Sequence, residues 1–400
     1  MRNRFDYEKT INLSAPRSRD EVFGKLSKIP GIQLIYVSAL ACTRHRGNEL
    51  VNLQRQGVLS FLLFDEIDMI TGDYINKTKQ AAAQIAAERS PTGIILMTGC
   101  QSALLSTDYK LLSKEIEQEI AIPIRVHDGC RLCSFDEDEA DAGTGKLGQL
   151  MYDFICPGEP SAEPSVNFIG SAELDEDNEI FSILNGAGIS QINSLASCKT
   201  AEAYHAMGAA HLNIITSAQD AAIGPYLEEK LEIPWVCIGG VYDSDSLRQS
   251  YKKLGEILGI NADVSEQANR LDGKLTEIKN MASDLTISVE GDAGLAKWLI
   301  KERFAVESLS LGRMQGISKE QREWFEKNAP DFRIISPVRG SGGRRGGGSG
   351  GRDSGRGQMR YGSDRQDSVK IGFAGSMAVL DRIEESAVSG PLSDKEGRMR

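Results

Sequence analysis

The chain has 400 residues, with 46 Lys and Arg against 57 Asp and Glu, for a formal net charge of -11 at pH 7. That balance argues against a general nucleic-acid binder, which needs a basic surface. No apolar run approaches the ~20 residues of a membrane span.

The opening MRNRFDYEKTINLSAP lacks the apolar core of a secretory signal, so a cytoplasmic protein is expected. Its seven cysteines are then reduced, and metal or redox roles outrank structural disulfides. The length suits two or three domains.

Residues 1–30 are polar, with a helix expected over Arg19–Ile29 that Ser18 or Asp20 can cap. The apolar run Ile32–Val37, bounded by Pro30 and Gly31, reads as a strand covered on both faces. Cys42 follows it in the cationic setting Thr43-Arg44-His45-Arg46. A strand over Phe61–Phe64 precedes a turn at Ile70–Asp73 and a helix over Lys77–Ala87. Thr92–Thr98 is an all-apolar strand running into Gly99-Cys100, and Asp108–Glu119 is an amphipathic helix. Ile122–His127 is a further strand ending at Asp128-Gly129-Cys130, and Lys146–Ile155 reads as a helix. Strand and helix alternate, which implies a parallel sheet with right-handed crossovers.

The alternation restarts at Val166–Ile169 and runs through Trp235–Ile238, followed by helices over Ser244–Leu258 and Val264–Met281. A third βα unit begins at Leu285–Val289. Composition breaks at Arg339–Gly357, mostly Gly, Arg and Ser, which holds too little apolar surface to fold. An apolar face resumes over Val369–Glu384. The expected fold class is α/β, with three Rossmann-like parallel-sheet βα domains. Residues 31–165 carry the first, 166–283 the second, and 284–400 a short third with a flexible insertion at 339–365.

Cys42 and Cys100 both fall on turns after parallel strands, so both face one sheet edge, where open parallel sheets hold ligands. Two thiolates fall short of the four an iron–sulfur cluster takes. A two-fold dimer doubles them. Thiolates are soft ligands, suited to iron–sulfur clusters or zinc. Cys130 and Cys133 form a C-x-x-C after the next strand, a pattern shared by zinc knuckles, redox dithiols and cluster ligands, and His127 lies close enough to join it. Cys156, Cys198 and Cys237 read as core residues. Gly143–Gly148 matches G-x-G-x-x-G but follows the acidic run Asp136–Asp141 rather than a strand, so no nucleotide is expected on this chain.

In order and spacing these motifs resemble the nitrogenase component 1 family. That family includes nitrogenase's catalytic subunits, a cofactor-assembly scaffold, the dark-operative protochlorophyllide reductase and a nickel-tetrapyrrole reductive cyclase. Tyr36-Val-Ser-Ala-Leu-Ala-Cys42 stands where the family has "HGP-x-GC", and Thr71–Lys77 where it has "GG-x-x-K-L". Cys100–Asp108 resembles its "C-x-x-x-x-I-G-x-D" loop, Val166–Gly170 its "vNiiG" strand, and Gly372–Leu380 its closing "G-x-x-G-x-x-x-L-x-x-I".

The resemblance implies that Cys42 and Cys100 bind an iron–sulfur cluster at a subunit interface, with Arg44 and His45 around it tuning its potential. The family's third cysteine has no counterpart near Asn12–Pro16, which leaves Ser14 as an oxygen candidate and favours a 4Fe-4S cluster. The implied partners are an identical or paralogous subunit and an ATP-dependent iron protein. The implied activity is reduction of a bound substrate. The alternative is a non-catalytic scaffold or carrier for a metallocluster or tetrapyrrole, and an RNA role for the Arg/Gly tract is a weaker third reading.

Deleting Gly340–Gly357 should leave the melting temperature nearly unchanged in a thermal scan, because shortening a solvated loop alters closure entropy slowly. Salt-sensitive RNA binding lost on the same deletion would restore the third reading.

Overall fold

A computed structural model describes residues 10–14, 22–39, 47–128, 146–160, 162–170, 172–311, 317–335 and 368–389. The Gly/Arg tract lies outside them. The described chain begins with β1 (Thr10–Ser14), in a stretch whose sequence reads only as polar.

The first domain holds β2 (Ile32–Ala39), β3 (Leu59–Phe64), β4 (Gly93–Thr98) and β5 (Ile124–Asp128) in the order β3-β2-β4-β5, every pair parallel. Apolar side chains alternate between two cores along β2. Leu34 and Tyr36 pack with Tyr152, Phe154 and Tyr204, while Ile35 and Val37 pack with Tyr74, Ile85 and Ile116. That explains the unbroken apolar run, since helices cover both faces.

The segment before β3 is a helix, Gly47–Arg55, and another follows at Glu66–Thr71. The latter is fixed by a reciprocal cap. Asp65 Oδ1 accepts from the Asp68 amide at 2.8 Å, and the Asp65 amide donates to Asp68 Oδ2 at 3.2 Å. It ends at Gly72, whose φ of 78° is cheap only for glycine.

The second domain holds β6 (Ser165–Ile169), β8 (Gln191–Ser194), β9 (Leu212–Ile215) and β10 (Trp235–Cys237) in the order β10-β9-β6-β8, again all parallel. A short strand, β7 (Glu173–Leu174), leaves this sheet. The third sheet holds β11 (Thr286–Glu290), β12 (Ala305–Ser310) and β13 (Arg333–Ile335), and β1 joins its edge parallel to β11. The amino-terminal strand therefore belongs with the last βα unit. This is the three-sheet Rossmann-like architecture the alternation implies. No helix among the described residues is long and apolar enough to cross a membrane.

The C-terminal helix Gly372–Ser389 returns to the second domain. The strand ahead of it, β14 (Ser368–Val369), pairs with β7. Asn178 Oδ1 accepts from the Ile371 amide at 2.8 Å. Glu179, buried, accepts at Oε1 from the Phe373 amide and the Tyr251 hydroxyl, both at 2.7 Å, and at Oε2 from the Ala374 amide at 3.0 Å. A carboxylate on the free amides of a helix start satisfies donors the helix cannot. Gly372 is obligatory there: its φ is +60°, and a Cβ would meet Glu179 Oε1 at 2.3 Å.

Glu179→Ala leaves three donors without their acceptor at a buried anchor, so urea unfolding should show a loss of roughly 4–5 kcal/mol, the low end for three hydrogen bonds to a charged group at about 1.5–3 kcal/mol each. Limited proteolysis should release the C-terminal helix first.

Candidate functional site at the carboxyl edge of the first sheet

In the first sheet β2 has its successor β3 on one side and β4 on the other. Loops leaving β2 and β4 therefore diverge, and the crevice between them is where doubly wound sheets bind ligands. Cys100 opens the short helix Cys100–Leu104 directly beyond β4, and the loop bearing Cys42 begins at the end of β2. β5, whose continuation carries Cys130 and Cys133, lies next to β4. Three of the cysteine-bearing segments thus leave adjacent strands over one edge. Cys42, Arg44, His45, Cys130 and Cys133 themselves fall outside the described residues, and Cys100 and Ser14 are described through their backbones. Ser14 ends β1, opposite Glu290 at the carboxyl end of the third sheet.

The buried polar side chains at the ends of β2 and β4 and in the turn after β4 are uncharged. Ser38, Thr98, Gln101 and Ser102 are all buried. Ser102 Oγ donates to the Gly99 carbonyl at 2.7 Å, and Thr98 Oγ1 donates to Asp128 Oδ1 at 3.3 Å. Gln101 Nε2 donates to the Val37 carbonyl at 2.7 Å, bridging β4's turn to β2. Beyond the short helix, Ser106 takes a left-handed φ of 51°, and Asp108 accepts from the Leu111 amide at 3.0 Å to start the next helix.

The second sheet has the same strand order, with its own switch point between β6 and β9, but side chains from both domains fill it. The Tyr152 hydroxyl meets the Gly170 amide at 3.0 Å, and Thr216 Oγ1 donates to the Ile169 carbonyl at 3.0 Å. A Cβ on Gly148 would come within 3.4 Å of Asp220 Oδ1. Burial pushes the Asp220 carboxyl up to about 6, against the pull of Lys25 and a bond from Ser217.

Two of the remaining thiols do not suit metal binding. Burial pushes Cys237 up to about 11, with Asp220 adding to it, and burial raises Cys198 as well. Neither favours the thiolate a metal needs. Both are half-buried, and Cys156, expected in the core, is exposed. Phe154 and Ile155 fill the core just ahead of it, and what packs against Gly208 is the Cys156 carbonyl, since a Cβ there would meet it at 2.0 Å. His211 sits just ahead of β9, its Nδ1 accepting from the Ser165 amide at 3.2 Å. Among the described residues no three His, Cys, Asp or Glu side chains gather as a metal site.

The family model for Nitrogenase component 1 type Oxidoreductase matches residues 25–313, more than half of the chain. The chain belongs to this family. Among solved structures, nitrogenase Cp1 at pH 6.5 superposes with a TM-score of 0.62 at 13% identity, over 98% of this chain and 96% of that one, a likeness of fold. Nitrogenase Cp1 at pH 5 aligns over 80% of this chain and 67% of that one at 16% identity, with a TM-score of 0.44, too loose to bear on the fold. No curated protein sequence matches the chain.

Family membership makes the chain a nitrogenase-like oxidoreductase by descent and gives the first switch point its interest. Sequence reasoning finds the cysteines there and overlooks Gln101 and Asp220. A glutamine directly after Cys100 was the available signal for the first. Nothing in the sequence marks the second, since the elements around it come from distant parts of the chain.

Asp220 gives a pH test. With its folded value near 6 and an ordinary unfolded value near 3.8, the folded chain holds a proton between those pH values that the unfolded chain has lost. Stability therefore falls as pH rises through that window, by at most roughly 3 kcal/mol. Asp220→Asn should remove that slope and raise the urea midpoint at pH 7.5 but not at pH 3.5.

Proposed function

We propose that the chain is a nitrogenase-like reductase component. Electrons from an ATP-driven iron protein pass through an iron–sulfur cluster at a subunit interface to a substrate bound between domains. The observation that carries this reading is the first switch point, where Cys100 and the Cys42 loop leave the two flanking strands over one edge. Chain length alone keeps the Cys42 Cα within about 11 Å of Ala39, three residues away.

The residues fit half of a cluster site. Thiolates at Cys42 and Cys100 are the right donors for iron, and four are reached when a two-fold axis brings a second pair. Cys130, Cys133 and Ser14 are the reserve donors, and the cationic Arg44 and His45, close to Cys42 in sequence, suit a role in offsetting thiolate charge. When bound, the cluster supplies one-electron transfer. The chain's own part is to hold the thiols at fixed spacing and keep water from them.

Surface apolarity supports a partner at this edge. Ile67 and Ile70, in the helix after β3, are 68% and 85% exposed, and Leu104, in the helix after β4, is 80% exposed. Apolar side chains that open to water and gathered at one edge suit a protein interface. An identical or paralogous subunit would cover them. Substrate turnover with dithionite separates this reading from a scaffold, which would release its cluster stoichiometrically.

Cys42→Ala and Cys100→Ala should each remove iron and weaken the dimer, because ligands that bridge two chains link metal binding to association. Cys198→Ala should do neither. Iron per chain and mass by light scattering, measured under argon, check this. Loss of iron in Cys130→Ala would move the site into one chain and end the shared-interface reading.

A further inference from the structure

Gln101 is hard to explain as a packing residue. Its side chain is only 5% exposed, and Oε1 is buried with no hydrogen-bond donor among the described residues. Burying an unpaired carbonyl costs its desolvation, which an apolar side chain of similar size would avoid. The other end of the amide has a defined use. Nε2 donates to the Val37 carbonyl, one residue past the last β2–β4 pair, Tyr36 with Met97. The amide cannot be turned over, because that would set Oε1 against the Val37 carbonyl, oxygen against oxygen. The orientation that strands Oε1 is the one that ties the Cys100 turn to β2. Oε1 lies over the turn itself, 3.0 Å from where a Cβ on Gly99 would be.

We infer that Gln101 is a positioning residue for Cys100: its carboxamide extends the β2–β4 pairing by one bond beyond the last backbone pair and so fixes the thiol-bearing turn relative to the strand leading to Cys42. This rests on the proposed cluster edge, but its test does not need the cluster. Gln101→Met removes both the tie and the stranded oxygen. Gln101→Leu removes them too, with a differently shaped apolar side chain.

The experiment uses the full-length protein without metal. It measures alkylation of Cys100 by iodoacetamide through peptide mass spectrometry, with Cys198 as internal reference, and amide exchange over residues 99–105. In Gln101→Met, Cys100 should react about three- to tenfold faster than in the unsubstituted chain, the range one net hydrogen bond supports, and residues 99–105 should exchange faster. Gln101→Leu should behave as the Met variant does. Unchanged Cys100 reactivity and exchange in Gln101→Met would overturn the inference. So would faster reaction in only one of the two variants, since side-chain shape and not the lost tie would then be at work. If the Met variant does not fold, the Leu variant decides. An iron assay on the unsubstituted chain tests the cluster reading separately, so either idea can fail alone.

Discussion

A parallel strand with later strands on both sides sends its chain out between loops that turn toward opposite faces of the sheet. β2 and β6 are both in that position, each flanked by the two strands that follow it in its sheet. Right-handed crossovers leave little choice once the first strand is central, because each helix must pack back on the face its hand dictates. The crevice is thus a consequence of topology before any side chain is considered. What differs between the two domains is what stands in it. At β6 Tyr152 from the first domain and the second domain's own Thr216 and Asp220 occupy the edge. At β2 the described residues are small hydroxyls and one glutamine, and the cysteine-bearing segments follow directly on β2, β4 and β5 in sequence.

The seams between domains rest on carboxylates. Asp153 joins the first domain to the second, accepting from Arg125 Nε at 2.8 Å, Lys230 Nζ at 2.9 Å and Tyr226 at 2.7 Å. Burial pushes its carboxyl up, yet those partners outweigh burial and hold it below the ordinary carboxylate range. Between the second and third domains, Asp292 accepts from Tyr242 at 2.7 Å and caps the helix at Leu295, and here burial wins and the carboxyl is raised. Glu179 does the same work for the C-terminal helix. A carboxylate accepts several donors at once and fixes their angles, whereas apolar contact alone lets packed elements slide. That gives the first sheet a firm frame, which a site built from loop cysteines requires.

Much of this was legible in the sequence because parallel strands buried on both faces announce themselves as apolar runs. Ile32–Val37, Thr92–Thr98 and Val166–Ile169 lie in strands the structure contains. Thr10–Ser14 escaped because it is an edge strand with polar positions and finds its partner, β11, at the far end of the chain. Gly47–Arg55 escaped because its polar residues outnumber its apolar ones. The Glu179 anchor is invisible locally: nothing within ten residues of it needs a carboxylate, and its partners lie at Tyr251, Phe373 and Ala374. At the site, sequence located the Cys100 turn and its family motif but not its strain. Ser106 stands where the family motif has glycine, and the backbone there is left-handed, so a serine carries a conformation glycine adopts freely.

On the proposed reading, that strain and the stranded oxygen of Gln101 fall in one short turn, residues 99–106, beside the thiol. A turn that holds a non-glycine left-handed residue and an unpaired buried carbonyl is held by its surroundings rather than by its own preferences. The surroundings are identifiable. Tyr74 shares a 2.6 Å hydrogen bond with Thr107, Ser102 ties back to Gly99, and Gln101 ties across to Val37. A thiol carried on such a turn is placed before any metal arrives, so less ordering entropy remains to be lost on binding. The exposed Ile67, Ile70 and Leu104 at the same edge lower the cost of bringing a second chain to it, since association there removes apolar surface from water. On the proposed reading, preplaced donors and an uncovered apolar rim would act on the same step, the closing of two half-sites into one.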